Sequence, residues 1–386
     1  MNTIEDVIIE ILSRLPVKSL LRFKSVCKTW QTLIDDSYFA QKHLEQSQRG
    51  PANGRRNFIF LEDGKLHSLD YESWLLLQDH IELPKIVCKH DYLPKLFAWS
   101  SHSFLGSCNG LVCIKTANKG FDLLLVNPCT RTYTKLVTNR LVVEPPGVDY
   151  CVLGTTFGFG YDAKIKDYKL VSITCIDSVL DCTNQPGFSQ VNVLTIGTNT
   201  WRRLSNVPYN VGLLAGELVT GALHWIDNYK KLLICFDVEE EEFKVVSLNQ
   251  IYDDEVYVVE IAELGGYLSL ICYLLGKRRG VEVWSMKEYG VEGSLTKMFS
   301  IDSRRLSSGY LLRHVRDIKP LCILKNNEGI LLKTEENLVL YEPKGNRYQH
   351  FHKVSLSLSI LVPYRESLIN LEKKIVRPCS DLELLQ

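Results

Sequence analysis

Residues 1–44 read MNTIEDVIIEILSRLPVKSLLRFKSVCKTWQTLIDDSYFAQKHL. Apolar residues fall at Ile4, Val7, Ile8, Ile11, Leu12 and Leu15, the i, i+3, i+4, i+7 spacing of a helical face. Pro16 ends that helix, because its ring clashes with the preceding turn and it has no N–H to donate. A second stripe runs through Phe23, Val26, Cys27, Trp30, Leu33 and Ile34, with Arg22, Lys24, Lys28, Thr29 and Gln31 turned away from it. Two or three short amphipathic helices in about 40 residues bury too little apolar area to hold together alone. The segment therefore calls for a partner surface.

The run IIEILSRLPVKSLLRFKSVCKTW resembles an F-box, the helical module by which a substrate receptor docks on the Skp-type adaptor of a cullin-based ubiquitin ligase. ILSRLP, the pair Leu20-Leu21 and VCKTW stand in the family's order and spacing; where the family opens with Leu-Pro, this chain has Thr3-Ile4. The resemblance implies docking through Ile8, Ile11, Leu15, Pro16, Leu20, Leu21, Val26, Cys27 and Trp30. It leaves open how these divide between the module's own core and the interface. The basic residues Lys18, Arg22, Lys24 and Lys28 read either as a soluble helix face or as a contact to an acidic adaptor surface.

Across 386 residues, 45 Lys and Arg balance 45 Asp and Glu, which argues against a nucleic-acid binder. Glu5 and Asp6 stand where the apolar core of a secretory signal would begin, and no apolar run approaches the length of a membrane span. Twelve cysteines are scattered without C-x-x-C pairs or zinc spacing, and several, such as Cys113, Cys235 and Cys272, lie in apolar runs where a thiol acts as a small hydrophobe. With no Asn-x-Ser/Thr sequon, this usage fits a reducing cytoplasmic or nuclear compartment.

After a polar linker (QSQRGPANGRR, 46–56) the texture changes to short apolar strands broken by turns. A unit recurs: an apolar strand, a polar turn, then a bulky residue opening the next strand. The bulky residues are Trp74, Tyr133, Trp201, Phe243, Leu295 and Tyr348, on average about 55 residues apart, near the period of kelch-type propeller blades. Further apolar strand pairs before most of these hairpins give four strands per unit, the propeller pattern. The predicted architecture is α+β and multidomain: a small N-terminal helical F-box (1–45), the linker (46–56), an all-β kelch-like propeller of about six blades (57–371) and a tail (372–386). This region resembles the plant F-box-associated interaction domain through GSCNGLVCI (106–114), NPCTRTYTKL (127–136), FGFGYD (157–162), NTWRRL (199–204), GALHWI (221–226), FDVEEEEF (236–243), VEVWSMKEYGVEGSLTKMF (281–299) and LVLYEPKGNRY (338–348). Pollen receptors of the self-incompatibility locus share this layout, and the tail VPYRESLINL (362–371) suits them and general members alike.

Other motifs weigh little. Gly158-Phe159-Gly160-Tyr161-Asp162-Ala163 fits G-x-G-x-x-G/A, but no βαβ unit surrounds it, and it reads as a tight strand turn. His350-x-His352 lacks a third metal ligand, and Glu239 to Glu242 reads as a solvated hairpin turn rather than a cation contact. Trp74, Trp201, Trp225 and Trp284 read as packing between blades. No pattern calls for a catalytic residue, a cofactor or a metal. The expected function is that of a non-catalytic receptor, with an adaptor and cullin scaffold at one end and a target protein at the other. Arg140–Val152, Ile176–Gln190 and Asn249–Tyr257 are the longest turn-rich inserts and the candidate target-binding loops. The rivals are a sugar-binding or enzymatic propeller, and an adaptor-bound scaffold that works outside ubiquitination.

Overall fold

The computed structural model describes residues 4–49, 56–62, 65–70, 87–93, 104–116, 122–138, 150–178, 187–212, 214–253, 255–275, 277, 279–303, 318–324, 329–334, 338–351 and 361–371. The chain opens with four helices: α1 (Ile4–Leu12), α2 (Val17–Phe23), α3 (Lys28–Asp35) and α4 (Ser37–Arg49). The second stripe of the sequence is thus split between two helices. Residues 25–27 are Ser, Val and Cys, all middling helix formers; the Ser25 hydroxyl turns back to the Arg22 carbonyl at 2.7 Å, and Cys27 is extended (φ −160°, ψ 163°). The Phe23 and Trp30 rings, 5.5 Å apart, carry the stripe across the break. Asp36 starts α4 as its N-cap, accepting from the N–H groups of Tyr38 (2.8 Å) and Phe39 (3.1 Å). That helix continues to Arg49, into the stretch read as linker.

Among the described residues, the remainder forms six four-stranded antiparallel sheets. The second blade holds β4 (Phe104–Cys108), β5 (Leu111–Lys115), β6 (Leu123–Asn127) and β7 (Thr132–Leu136), and the third β8 (Tyr150–Asp162), β9 (Asp167–Ser178), β10 (Phe188–Thr195) and β11 (Thr200–Arg203). The fourth holds β12 (Glu217–Val219), β13 (Ala222–Asp227), β14 (Leu232–Asp237) and β15 (Phe243–Ser247), and the fifth β16 (Val256–Leu264), β17 (Tyr267–Leu274), β18 (Gly280–Met286) and β19 (Leu295–Asp302). The sixth is β20 (Lys319–Ile323), β21 (Ile330–Lys333), β22 (Leu338–Glu342) and β23 (Arg347–Phe351). The first blade closes the ring: β1 (Arg56–Glu62), β2 (Lys65–Leu69) and β3 (Val87–Lys89) are completed by β24 (Leu361–Arg365), which pairs with β1 from Arg56↔Arg365 to Phe60↔Leu361. Here the outermost described strand is β3 rather than one opening at Trp74, which lies outside the described residues.

Five of the six recurring bulky residues, Tyr133, Trp201, Phe243, Leu295 and Tyr348, stand at or next to the start of the fourth strand of a blade. A left-handed residue lies two positions before four of them: Arg131, Asn199, Glu241 and Asn346, with φ between 47° and 60°. Four residues earlier still, Asn127 and Asp237 accept two backbone N–H groups of the turn through Oδ1. Asp162 and Asp227 do the same at other hairpins, each followed four residues on by a left-handed Lys166 or Lys231. The same Asx turn thus recurs at four hairpins, two of them among the recurring units.

Inter-blade clusters supply the core. Trp201 lies in the one between blades two and three and Trp225 in the one between blades three and four; both are buried. Gly158 and Gly160 are within strand β8, not in a turn. A Cβ on Gly158 would meet the Trp225 ring at 2.8 Å and one on Gly216 would meet it at 2.5 Å, so the two glycines, bridged to each other in parallel, make room for that indole. The acidic run is not simply solvated either. Lys169, almost fully buried, is held by Asp162, by Glu241 at 2.8 Å and by the Val238 carbonyl at 2.8 Å, while Arg202 also pairs with Glu241 and Lys164 with Glu240. Carboxylates read as a free turn thus strap blade three to blade four.

Candidate functional site

At 100° per residue the apolar positions of α1 (4, 7, 8, 9, 11 and 12) cover an arc of roughly 200°, about twice what one packed face needs. The structure uses the two halves differently. Leu12 is buried with Val17, Leu20, Ile34, Phe39 and Ala40, and Ile8 and Ile9 pack partly against this cluster. The other half is bare: Ile4 is 83% exposed, Val7 48% and Ile11 57%. Val26 (60% exposed) and the exposed Cys27 add apolar surface on the turn between α2 and α3.

The nine residues expected to dock divide accordingly. Ile11, Val26 and Cys27 are exposed; Ile8, Leu15, Pro16, Leu21 and Trp30 are half-buried; Leu20 is fully buried and serves the helical core. Leu15 and Pro16 line a cavity of about 520 Å³ with His43, Arg365 and Glu366, at the junction of helices and wheel. Ile4 and Val7 were read only as part of a packed stripe, and the width of the apolar arc is the signal that assigns them to a second surface. Two of the four basic residues are used within the chain. Lys24 pairs with Asp35, and Lys18 reaches Asp70 of the wheel at 3.0 Å and Glu366 at 4.0 Å. Burial works against the charge of Lys18, but the hydrogen bond and charge of Asp70 outweigh it and raise its pKa. Arg22 and Lys28 remain exposed.

The helices seat on one end of the wheel. Gln41, Leu44 and Glu45 of α4 face a cavity of about 650 Å³ lined by the β4–β5 turn (Asn109-Gly110), the β12–β13 turn (Thr220-Gly221) and Glu239 between β14 and β15. Within each antiparallel blade the first-to-second and third-to-fourth turns lie at that end. The second-to-third and blade-to-blade connections consequently leave from the opposite end. The candidate loops belong to this far end: Tyr150–Val152 open β8, Ile176–Ser178 close β9, and residues 249–253 precede β16. The rest of Arg140–Val152 and the middle of Ile176–Gln190 lie outside the described residues, as does His352 of the histidine pair. At the far mouth of the channel stand Lys319, Lys333, Glu260 and Asn228. Among the described residues, no three His, Cys, Asp or Glu side chains gather as a metal site, and no helix is long and apolar enough to cross a membrane. Burial pushes the Cys235 thiol up to about 11 and that of Cys272 up to about 12, values of packing groups rather than nucleophiles.

Residues 58–352 match the F-box associated beta propeller domain, and residues 5–42 match the F-box domain. The chain belongs to the F-box-associated β-propeller family. Its relatives include the F-box/kelch-repeat protein At3g23880 of Arabidopsis thaliana, 28% identical over 91% of this chain and 90% of that protein. The F-box protein CPR1 of the same plant is 27% identical over 87% of this chain and 80% of its own length. An F-box joined to a β-propeller is the layout of substrate-recognition subunits of Skp-cullin-F-box ubiquitin ligases, and this chain has that layout.

Proposed function

We propose that this protein is the non-catalytic substrate receptor of such a ligase. In this reading the bare half of α1 and the α2–α3 turn dock on a Skp-type adaptor and, through it, a cullin scaffold. The far end of the wheel holds a target protein. Ubiquitin transfer then follows from proximity, because receptor and scaffold raise the effective concentration of a target lysine beside the charged conjugating enzyme. The observation that carries the reading is the unpartnered apolar surface of Ile4, Val7 and Ile11, on a helix whose other half is satisfied by its own core. Capture at the far end is supported by the occupation of the near end by α4 and by bare apolar side chains such as Leu153, Leu214 and Tyr229 beyond it. The proposed compartment is the cytoplasm or nucleus.

The test is proximity labelling in cells with the intact protein, followed by reconstituted ubiquitination of the labelled proteins with adaptor and cullin. At least one labelled protein is expected to be ubiquitinated, and to escape when the 228–231 turn carrying Tyr229 is replaced by Gly-Ser. Adaptor binding without ubiquitination of any labelled protein would favour the scaffold reading instead.

A further inference from the structure

The helices and the wheel are joined along the chain through GPANGR (50–55). A second connection is made by the other end of the chain. After closing the first blade with β24, residues 366–371 cross beneath the helices. Glu366 accepts from the Asn57 amide at 2.9 Å and faces Lys18 of α2. Leu368 inserts into the helical core beside Leu12, Leu20 and Phe39, while Ile369 and Leu371 pack with Leu44 of α4 against the wheel. Three successive contacts thus alternate between the two domains.

Asn127 holds the middle of this strap. Asn127 is fully buried; its Oδ1 accepts from the N–H groups of Cys129 (2.9 Å) and Thr130 (3.3 Å), the same Asx turn made elsewhere in the wheel by Asp162, Asp227 and Asp237. At those three hairpins the residue is an aspartate, an acceptor alone. At this one it is an asparagine, and its amide nitrogen donates to the carbonyls of Ser367 (3.2 Å) and Ile369 (2.8 Å). Gly110 clears the path, since a Cβ there would meet the Ser367 hydroxyl at 2.4 Å. The turn needs only the oxygen; the nitrogen is explained by the strap.

We propose that Glu366–Leu371, clamped by Asn127, is a positioning element that fixes the helical domain on the wheel and so sets the distance from the docked adaptor to the captured target. Asn127 and Leu368 are positioning residues for ubiquitin transfer; neither touches adaptor or target. The inference rests on the receptor reading above, and the two fail differently.

Asn127→Asp keeps the turn acceptor and removes the donor, placing a carboxylate against two carbonyls; Leu368→Ala loosens the strap from the helical side without touching the turn. Single-molecule energy transfer between dyes on non-natural residues at Gln31 and Tyr229 reads the geometry. Ubiquitin transfer to a lysine-bearing peptide inserted in the Tyr229 turn, with adaptor, cullin and charged conjugating enzyme, reads the consequence. The intact chain gives one narrow distance population. Each variant broadens it and slows transfer to the inserted lysine about fivefold or more, while adaptor affinity stays within twofold and the protein, though lowered in its unfolding midpoint by the buried change, remains folded at the assay temperature. Narrow distances and unchanged transfer in both variants overturn the strap; so does a parallel loss of adaptor binding and thermal stability, which marks a merely structural role. If the intact chain binds adaptor but transfers no ubiquitin, the receptor reading itself fails.

Discussion

Ile11→Asp probes the bare half of α1 directly. The exposed fractions of Ile4, Val7, Ile11 and Val26 amount to roughly two and a half whole side chains, or about 4–7 kcal/mol if an adaptor covered them fully. The share of Ile11, a little over half a side chain, is about 1–2 kcal/mol. A carboxylate in its place would be stranded against the partner at a further cost of about 1–3 kcal/mol. Titration calorimetry with a purified Skp-type adaptor should therefore show affinity falling by about 2–5 kcal/mol, roughly thirtyfold to several thousandfold. The folded state should be untouched, because Ile11 faces away from the helical core. Leu20→Ala is the contrasting variant: as a fully buried core side chain it should cost about 2–5 kcal/mol of stability, and weaken binding only as far as the helices unfold. A folded Ile11→Asp protein that binds within twofold of the original would refute the assignment.

The fold offers three further tests. Glu241→Gln removes one of the two carboxylates on the buried Lys169 ammonium, leaves Asp162 in place, and should destabilise the wheel by about 1.5–3 kcal/mol in urea unfolding; a loss below about 0.5 kcal/mol would show the strap between blades three and four to be slack. Gly158→Ala drives a methyl into Trp225 and should cost about 1–3 kcal/mol, read as a lower unfolding midpoint with a shifted tryptophan emission. Acid should weaken the fold early. Burial lowers the pKa of His43 and His67 and brings His90 and His224 down to about 4. The unfolded chain takes up these protons near pH 6.5 while the folded one refuses them, so stability is full above about pH 7 and declines as pH falls from 6.5 towards 4. By pH 4 the loss is about 3 kcal/mol each for His90 and His224. Unfolding midpoints unchanged between pH 7 and pH 5 would contradict this.

Much of the architecture was legible because it repeats. A polar turn followed by a bulky residue marks the fourth strand in five blades, since four of these turns use a left-handed residue and each needs a side chain to seal the next strand against its neighbour. Closure by β24 was not legible. Phe58 and Pro363 pair across some 300 positions, and no local pattern in VPYR announces which edge it completes. In the helices, the paired leucines do not say which of them faces inward: Leu20 is fully buried in the cluster with Leu12, Ile34 and Phe39, while Leu21 only packs against its edge. The arc of α1 was wide enough to show two faces, but Ile9 had to be counted with the rest. Lys169 was hidden because nothing in DVEEEEF says that a lysine on β9 of the preceding blade lies within reach. The second task of Asn127 was equally hidden, visible only once its hairpin is set beside three others built on aspartate.

Hydrogen exchange of the whole protein, with and without a saturating Skp-type adaptor, reads the docking face without any substitution. Backbone amides of residues 5–12 and 24–30 should gain protection while those of β14, β15 and the 228–231 turn keep their rates. Should α1 exchange at the same rate in both samples while protection appears on the wheel, the adaptor sits elsewhere and the bare helix face has another purpose.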